Sequence, residues 1–484
     1  MRKSGLYLSG PYTQYIGEFS DYIVWKERPV SRKGKNIFIL LMAVVLAVVS
    51  VNPMAGAVNR IRAASGRQAQ AAAAAGADKE RLFLLPEGQQ ETPSAIPLGE
   101  LKKEPEGMLI LLDPGHGGED EGCAREGVQE KEINLRIALA VQKKLLEKGY
   151  RVRLTRYGDT GLPLEDRAKA ANEAGAALCI SIHQNADEEE RAEGIEVWYS
   201  SQNQGEESER LSRVIQKYAA KYTGTPVREL VENEELHVIR ECTMPSCLIE
   251  TGFLSNKAER AKLAGTQYQE QMAEGIAAGI DAYLHPKTMY LTFDDGPSEE
   301  NTARVLDILK ARNIKAAFFL VGENVERHPE MARRIVQEGH TIGIHCYSHD
   351  YKALYDSVDS YIADFEKAQE AVRAATGVEV KLFRFPGGSI NAYNKKVYQQ
   401  IAGEMTNRGY IYYDWNASLE DAVSNPKAET LIQNAVNSTL DRKKIILLAH
   451  DVVGETGRCL EELLDQFPEY EMELLTEETE PIQF

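Results

Sequence analysis

Hydrophobic and polar positions along the chain form two successive series, in which short apolar runs alternate with longer amphipathic segments. In the first series, apolar runs typical of buried strands lie at 108–112, 151–155, 176–182, 194–199 and 246–249. Apolar residues at helical spacing lie at 134–148, 208–222 and 266–284. The second series begins with an apolar run at 289–293 and continues to the C-terminus. This alternation predicts an α/β fold, with helices on both faces of the first sheet.

The N-terminal part contains an apolar segment of membrane-spanning length. Residues 37–51 are apolar except for Ser50, and low polarity continues to residue 58, which gives the roughly 20 residues that a bilayer requires. Four cations come just before this run: Arg28, Arg32, Lys33 and Lys35. Because cations stay cytoplasmic, we expect 1–35 to be cytoplasmic, 36–58 to be a single transmembrane helix in the cell membrane, and the remainder to be extracytoplasmic. A cleaved signal peptide is the alternative, since Ala55-Gly56-Ala57 resembles a cleavage site.

The composition changes again after the apolar segment. Residues 59–107 are rich in Ala, Gln, Glu and Pro without a sustained period, which predicts a linker. The two strand–helix series predict domains at 108–284 and 285–484, in keeping with a length of 484 residues. Only His285-Pro286-Lys287-Thr288 joins the two series, so we expect the domains to abut.

The charge balance and the cysteines restrict the classes of partner and fold. With 56 Lys and Arg against 74 Asp and Glu, the formal net charge is −18, which argues against binding nucleic acid but not against binding an uncharged glycan. The six cysteines contain no CxxC pair, so a disulfide scaffold is not expected. A local bridge between Cys242 and Cys247 stays open.

Two histidines and a glutamate of the first series have the character of a metal site. His116 follows the first strand in Asp-Pro-Gly-His-Gly-Gly, Glu130 comes just ahead of the first helix, and His183 closes the strand at 176–182. The carboxyl ends of strands are where open α/β sheets bind ligands. Two His and one carboxylate would leave a fourth zinc position for water, and Glu250, at another strand end, could act as general base. Each residue alone also has an ordinary role in a loop or a helix end.

Five ordered motifs of the first series resemble the zinc-dependent N-acetylmuramoyl-L-alanine amidase family. They lie at 113–118, 130–135, 181–186, 236–240 and 250–256. The resemblance implies cleavage of the bond between the muramic-acid lactyl group and L-alanine. It makes His116, Glu130 and His183 zinc ligands and Glu250 the acid/base. Glu130 is preferred to Glu132 because it matches the family position.

The second series carries another set of polar residues in short motifs. Asp294 and Asp295 end its first strand in Asp-Asp-Gly-Pro, which alone would be a good turn. His345 and His349 have an i,i+4 spacing, which would put both imidazoles on one face of a helical turn. Further motifs lie at 383–388, 414–421 and 447–451.

In this order the motifs resemble the polysaccharide deacetylase family, whose fold is an irregular (β/α) barrel. The resemblance implies metal ligands Asp295, His345 and His349, the general base Asp294 oriented by Arg384, and the general acid His450 tuned by Asp421. The ligands suit Zn²⁺, with Co²⁺ or Mn²⁺ also compatible. Cys346 departs from the family, which has Ser or Thr there, and a lost hydroxyl could weaken metal binding.

Together the two resemblances predict a bifunctional wall hydrolase that binds peptidoglycan or related glycan strands and holds one zinc ion in each domain. One alternative is a wall-binding protein with one degenerate domain, and another is a deacetylase that acts on chitin or xylan. A further hypothesis is that the sites act in sequence, the deacetylase taking muramic acid stripped of its peptide. The competing idea is deacetylation of N-acetylglucosamine regardless of stem peptides.

Overall fold

The computed structural model describes residues 107–188, 190–440 and 442–484. The predicted cytoplasmic segment, transmembrane helix and nearly all of the linker therefore lie outside the described residues. Within the described ranges, no helix has the length and apolar character needed to cross a bilayer.

The first domain is built on a six-stranded sheet with the strand order β4-β1-β5-β8-β6-β7. Its strands are β1 (Leu109–Pro114), β4 (Arg151–Leu154), β5 (Leu178–Asn185), β6 (Glu196–Tyr199), β7 (Val231–Glu232) and β8 (Ser246–Phe253). Its pairs are parallel except that β6 runs antiparallel to β8. A separate hairpin is formed by β2 (Ala124–Arg125) and β3 (Val128–Gln129).

Helices cover both faces of this sheet, as the alternation predicted. They are α1 (Glu130–Glu147), α2 (Leu164–Glu173), α3 (Gly205–Thr223), α4 (His237–Arg240), α5 (Lys257–Leu263) and α6 (Thr266–Leu284). Alternate residues of β1 point to opposite faces: Ile110 packs in the core with α1, α3 and α6, whereas Leu111 packs with Ala168 of α2. The predicted α/β class is confirmed for this domain.

The second domain is built on eight strands, and all of their pairings are parallel. They are β9 (Lys287–Asp294), β10 (Ala317–Val321), β11 (Thr341–Cys346), β12 (Leu382–Phe383), β13 (Ile411–Tyr412), β14 (Ala417–Ser418), β15 (Lys444–His450) and β16 (Tyr470–Met472). The helices are α7 (Asn301–Ala311), α8 (Gly322–Arg327), α9 (Pro329–Gln337), α10 (Tyr351–Leu354), α11 (Val358–Thr376), α12 (Tyr398–Asn407), α13 (Ala428–Thr439) and α14 (Gly454–Asp465).

This second sheet curls into a half-barrel rather than a closed barrel. Its path runs β13-β12-β11-β10-β9-β15-β14, and the described residues contain no pairing between the edge strands β13 and β14. Instead, C-terminal residues bind next to the edges: the Asp414 N–H donates to the Ile482 carbonyl at 2.8 Å, and the Tyr413 hydroxyl donates to the Thr476 carbonyl at 2.9 Å. The resemblance therefore predicted the strand–helix order, while the sheet is more open than a barrel.

The two domains are joined by two residues, since α6 ends at Leu284 and β9 begins at Lys287. An ion pair also links them: Lys217 Nζ of α3 lies 2.8 Å from Glu469 Oε2 and donates to the Gln466 carbonyl at 2.7 Å. Contacts beyond the covalent join therefore connect the two domains.

Several local predictions were wrong. His345 lies on β11 and His349 lies in the following loop with φ of +56°, so the pair shares no helical turn. Pairing with β5 extends β8 to Phe253, which places Glu250 inside that strand rather than at its end. Glu130 is the first residue of α1, and β5 continues two residues beyond His183. The open question of a local bridge is answered, because Cys242 and Cys247 are both free thiols.

Candidate active sites

The carboxyl ends of β1 and β5 bring the first candidate ligands together. His116 lies two residues after β1, His183 lies in β5, and Glu130 begins α1. One ligand atom from each of these three side chains lies within 4.8 Å of the others. The topology thus places side chains that are up to 67 residues apart at one edge of the sheet.

Glu130 is the centre of this cluster. Its Oε1 lies 3.1 Å from His116 Nε2 and 3.0 Å from His183 Nδ1, and its Oε2 accepts the Cys123 N–H at 2.8 Å. Burial disfavours the charged form, but the hydrogen bonds from His116 and His183 outweigh it and hold the pKa of Glu130 below its usual range. Glu132 is exposed and pairs with Arg136 at 3.2 Å, so it is outside the cluster.

The surroundings of His116 were not foreseen from the sequence. Asp120 Oδ2 lies 2.8 Å from His116 Nδ1, which leaves Nε2 directed at Glu130. A carboxylate on the second ring nitrogen is a common way of orienting a metal-binding histidine. The only sequence signal was the i,i+4 spacing of these two residues.

Two glycines leave the space that the ligand side chains occupy. A Cβ on Gly115 would lie 2.1 Å from the His183 ring, and one on Gly122 would lie 2.4 Å from Glu130 Oε2. Gly122 also has a φ of +65°, a conformation that favours glycine. The backbone therefore approaches the ligands more closely than any other residue would permit.

A buried network holds the loop that carries His116. Asp113 Oδ1 accepts from Arg167 at 2.8 Å and from the Thr155 hydroxyl at 2.6 Å, while Arg156 donates to the Gly115 carbonyl at 2.9 Å. These partners lie 41 to 54 residues apart in sequence. They are positioning residues that no local pattern could have identified.

Glu250 lines the same cavity as the three candidate ligands but is not one of them. It lies opposite His183 in the β5–β8 register, and its Oε2 is buried without a hydrogen-bond partner in the part of the chain that the structure describes. Burial raises the pKa of Glu250 well above its usual range, and the nearby carboxylates of Glu130 and Glu196 raise it further. Glu196, its cross-strand neighbour, is paired with Arg228 at 2.8 Å.

The first cluster opens into a cavity of about 450 Å³. Its lining includes the three clustered side chains, Glu250, and residues of the hairpin side: Gly122, Cys123, Ala124 and Arg125. An acid with a raised pKa therefore faces the same space as a His/Glu/His set, as metal-assisted hydrolysis requires.

The second candidate cluster joins Asp295, His345 and His349 at the carboxyl ends of β9 and β11. Asp295 Oδ1 lies 3.4 Å from His345 Nε2 and 3.2 Å from His349 Nε2. His345 Nδ1 lies 3.0 Å from the Arg384 carbonyl, so its Nε2 is left for the cluster. Asp295 and His349 have φ values of +74° and +56°, which are uncommon for residues other than glycine, so the surrounding fold holds them in this conformation.

Asp294 is bound by a fully buried arginine. Arg384 Nη1 lies 2.9 Å from Asp294 Oδ1 and donates to the Thr292 hydroxyl at 2.7 Å, while Nε donates to the Tyr413 carbonyl at 2.8 Å. The guanidinium also lies 4.3 Å from the centre of the Phe319 ring. With its donors engaged on several sides, Arg384 holds Asp294 in one orientation.

His450 is paired with Asp421 in the same site. The His450 Nδ1 lies 2.7 Å from Asp421 Oδ1, and Thr456 donates to Asp421 Oδ2 at 2.6 Å. Burial lowers the pKa of His450, but the charge and hydrogen bond of Asp421 outweigh it and raise that pKa to about 10. The Nε2 lies 4.0 Å from Asp295 Oδ2, which directs a protonated nitrogen towards the cluster.

Cys346 and Tyr347 support the loop between the histidines. Burial raises the pKa of Cys346 well above its usual range, while the backbone N–H of His349 donates to its sulfur. The thiol therefore still accepts one hydrogen bond from the loop. Tyr347 is buried and donates to Glu326 at 2.9 Å, which is a packing role.

A cavity of about 750 Å³ opens over the second cluster. Its wall includes Asp295, His349, His450 and the segment 421–426. Next to it, sequence reasoning missed Asp451, a buried carboxyl whose pKa is raised to about 7, chiefly by burial. Thr302 donates to it at 2.5 Å, and its position directly after His450 was the available signal.

Both clusters fit a divalent transition metal. Each combines two imidazoles with one carboxylate, a donor set that suits Zn²⁺, and each has a ring nitrogen held by a second partner. Within the described residues, the buried Oδ1 of Asp295 accepts no hydrogen bond of good geometry, although His349 Nε2 lies 3.2 Å away, as expected for an oxygen that binds a cation beside a histidine ligand.

Two protein-family models match successive parts of the chain. The N-acetylmuramoyl-L-alanine amidase family model matches residues 110–282, and the polysaccharide deacetylase family model matches residues 281–405. N-acetylmuramoyl-L-alanine amidase LytC of Bacillus subtilis is 38% identical over 184 residues, which are 38% of this chain and 37% of LytC. This chain therefore matches well under half the length of that relative.

Two further similarities cover most of the protein compared. A peptidoglycan-N-acetylglucosamine deacetylase of Bacillus cereus is 31% identical over 41% of this chain and 73% of the relative. An N-acetylmuramoyl-L-alanine amidase from Clostridium difficile 630, whose crystal structure is known, is 38% identical in sequence. The match covers 37% of this chain and 97% of the amidase chain, with a TM-score of 0.36.

The two family models and the two curated relatives are of enzymes that hydrolyse C–N amide bonds. The chain belongs to the N-acetylmuramoyl-L-alanine amidase family in its first domain and to the polysaccharide deacetylase family in its second.

Proposed function

We propose that the chain is a bifunctional, zinc-dependent peptidoglycan hydrolase with two separate active sites. The observation that carries this proposal is that each domain contains a complete His/His/carboxylate cluster with its own acid/base group. A degenerate domain would be expected to lack a ligand, so the alternative of a wall-binding protein is disfavoured.

In the first site, His116, Glu130 and His183 would hold the zinc ion and Glu250 would move protons. Bound zinc would lower the pKa of a water molecule and polarise the amide carbonyl. Glu250 accepts the proton of the attacking water and donates it to the departing amine of L-alanine. A raised pKa suits this double role, because the carboxyl must hold a proton between the two steps.

In the second site, Asp295, His345 and His349 would hold the metal, and proton transfer is divided between two groups. Asp294, held by Arg384, accepts the proton of the attacking water. His450, kept protonated by Asp421, donates to the departing sugar amine. Acetate and a free amino sugar are the products.

Peptidoglycan is the proposed substrate of both domains. The muramoyl-L-alanine amide that the first domain would cleave is a bond of peptidoglycan. The names of the relatives include both a muramoyl-L-alanine amidase and a peptidoglycan deacetylase. Chitin and xylan are less well supported as substrates, because the neighbouring amidase domain acts on a bond that neither of them contains. We further propose that 36–58 anchors the chain in the cell membrane, with both domains outside.

The test of the two activities is mass spectrometry of muropeptides after the purified protein has digested cell wall. Free stem peptides and deacetylated sugars are expected together, with two metal ions bound per chain. If either product is missing and only one metal is bound, the bifunctional proposal fails.

Protease added to intact, wall-stripped cells tests the membrane anchor. It should release the catalytic fragment, whereas a mature N-terminus at Val58 in the medium would support cleavage.

A second candidate concerns the substrate of the deacetylase domain. Arg327 and Arg458 both line its cavity, where they pair with Glu323 at 3.1 Å and Glu455 at 2.7 Å. A guanidinium has five N–H donors, so each can still donate to the lactyl carboxylate that an amidase leaves on muramic acid. We propose on this basis that peptide-free muramic acid is its preferred sugar. The Glu250→Ala protein should release acetate faster from pre-stripped glycan than from intact wall. Equal rates, or free amines only on glucosamine, would rule this out.

A further inference from the structure

A single cationic side chain faces the amidase cavity. Among the described residues that line it, Arg125 is the one Lys or Arg, while Glu130 and Glu250 contribute carboxylates. Arg125 ends β2 on the hairpin that forms one side of the cavity.

The hairpin that carries Arg125 is anchored at both ends. At its base, the Glu130 N–H donates to the Cys123 carbonyl at 2.9 Å. At its tip, Glu126 Oε2 lies 3.1 Å from Arg260 Nη2, a guanidinium that is itself largely buried. The position of Arg125 relative to the candidate metal ligands is therefore set by the fold.

The guanidinium of Arg125 is not neutralised by the part of the protein that the structure describes. Its hydrogen bond there runs from Nη1 to the Ala124 carbonyl at 3.1 Å, and no described carboxylate lies within ion-pair distance. Arg228 and Arg260, by contrast, each pair with a glutamate at 2.8 and 3.1 Å. In a chain with a net charge of −18, an unneutralised cation at a substrate cavity would attract an anionic group.

The chemistry of the proposed substrate limits what that anion can be. In an intact muramoyl peptide, the lactyl carboxyl of the sugar is consumed in the amide that is cut. The remaining carboxylates of such a substrate therefore belong to the peptide. A guanidinium binds a carboxylate with two parallel hydrogen bonds, which gives orientation as well as affinity.

We propose that Arg125 determines peptide specificity by binding a carboxylate of the stem peptide beside the scissile bond. This inference rests on the proposed amidase function and deepens it. Arg125 takes no part in the proton transfers of Glu250. It positions the leaving group and favours acidic over amidated peptides.

The experiment compares two substrates that differ only in carboxylates: N-acetylmuramoyl-L-Ala-D-Glu and the same compound with both Glu carboxyls amidated. Arg125→Ala in the full-length protein should lower kcat/KM about tenfold to a hundredfold on the acidic substrate, mainly through KM. On the amidated substrate the change should be below about threefold. Arg125→Lys should recover part of the loss, because it keeps the charge without the bidentate geometry.

Arg136→Ala is the matched control, since Arg136 lies on α1, is exposed, and is absent from the cavity wall. It should leave both substrates unchanged. Equal losses on both substrates for Arg125→Ala, or a loss confined to kcat, would overturn the specificity role. Wild-type protein that cleaves neither substrate would instead overturn the amidase function itself.

Discussion

In the amidase site the candidate acid/base is a carboxyl whose Oε2 is buried and has no hydrogen-bond partner among the described residues, whereas in the deacetylase site the candidate base is bound by a buried arginine. Glu250 has a raised pKa and can carry a proton from one step to the next. Asp294 forms an ion pair with Arg384. The proton for the leaving group comes from a second residue, His450, which is paired with Asp421. Two similar ligand sets can thus be combined with one proton carrier or with two.

The largest expected effect comes from metal removal, which tests what the two sites share. Treating the protein with a strong chelator should abolish both peptide release and acetate release, because each cluster would lose its cation. Adding Zn²⁺ back should restore both activities, measured on the same sample. If one activity survives complete removal of metal, that site works without a cation.

The next effect tests the division of labour in the deacetylase site. Asp421→Asn should lower the acetate release rate by about tenfold to a hundredfold, since the protonated form of His450 loses its partner. His450 must be protonated to act as an acid, and Asp421 raises its pKa to about 10. Removing that charge lowers the pKa, so the alkaline limb of the pH–rate profile should move to lower pH. An unchanged limb would show that another group is the acid; amidase activity is the internal control.

A smaller effect tests the close packing around the amidase ligands. Gly122→Ala should weaken zinc binding about tenfold or more, because its Cβ would lie 2.4 Å from Glu130 Oε2 and 2.6 Å from His116 Cδ2. Gly127→Ala is the matched control: its φ of +80° costs similar backbone strain, but nothing lies within 4 Å of its Cβ. Competition with a chromogenic chelator measures both. Equal affinities in the two variants would mean that the collision is relieved without cost.

Strand–helix alternation predicted the α/β fold because buried strands and amphipathic helices have different periods. The ligands could be predicted because the motifs are short and lie next to strand ends. The prediction of a helical turn from the i,i+4 spacing of His345 and His349 was wrong. The interval spans a strand end and a residue in the left-handed conformation instead of a helix.

The supporting residues could not be predicted because they come from distant parts of the chain. Asp113 meets Arg167 and Ser181 through the order of the strands, and the Tyr413 carbonyl meets Arg384 through the curl of the half-barrel. No local pattern encodes such contacts. The same holds for the openness of the second sheet, where the C-terminal residues bind beside its edge.

The central claim is that two independent amide-hydrolysing sites share one chain, and one pair of variants tests it most directly. Peptide release and acetate release are measured for folded Glu250→Ala and Asp294→Asn proteins on substrates that each site can use alone. Glu250→Ala should lose at least about a hundredfold in peptide release and keep acetate release, and Asp294→Asn should do the reverse. Loss of both activities from either substitution would contradict the two-site account.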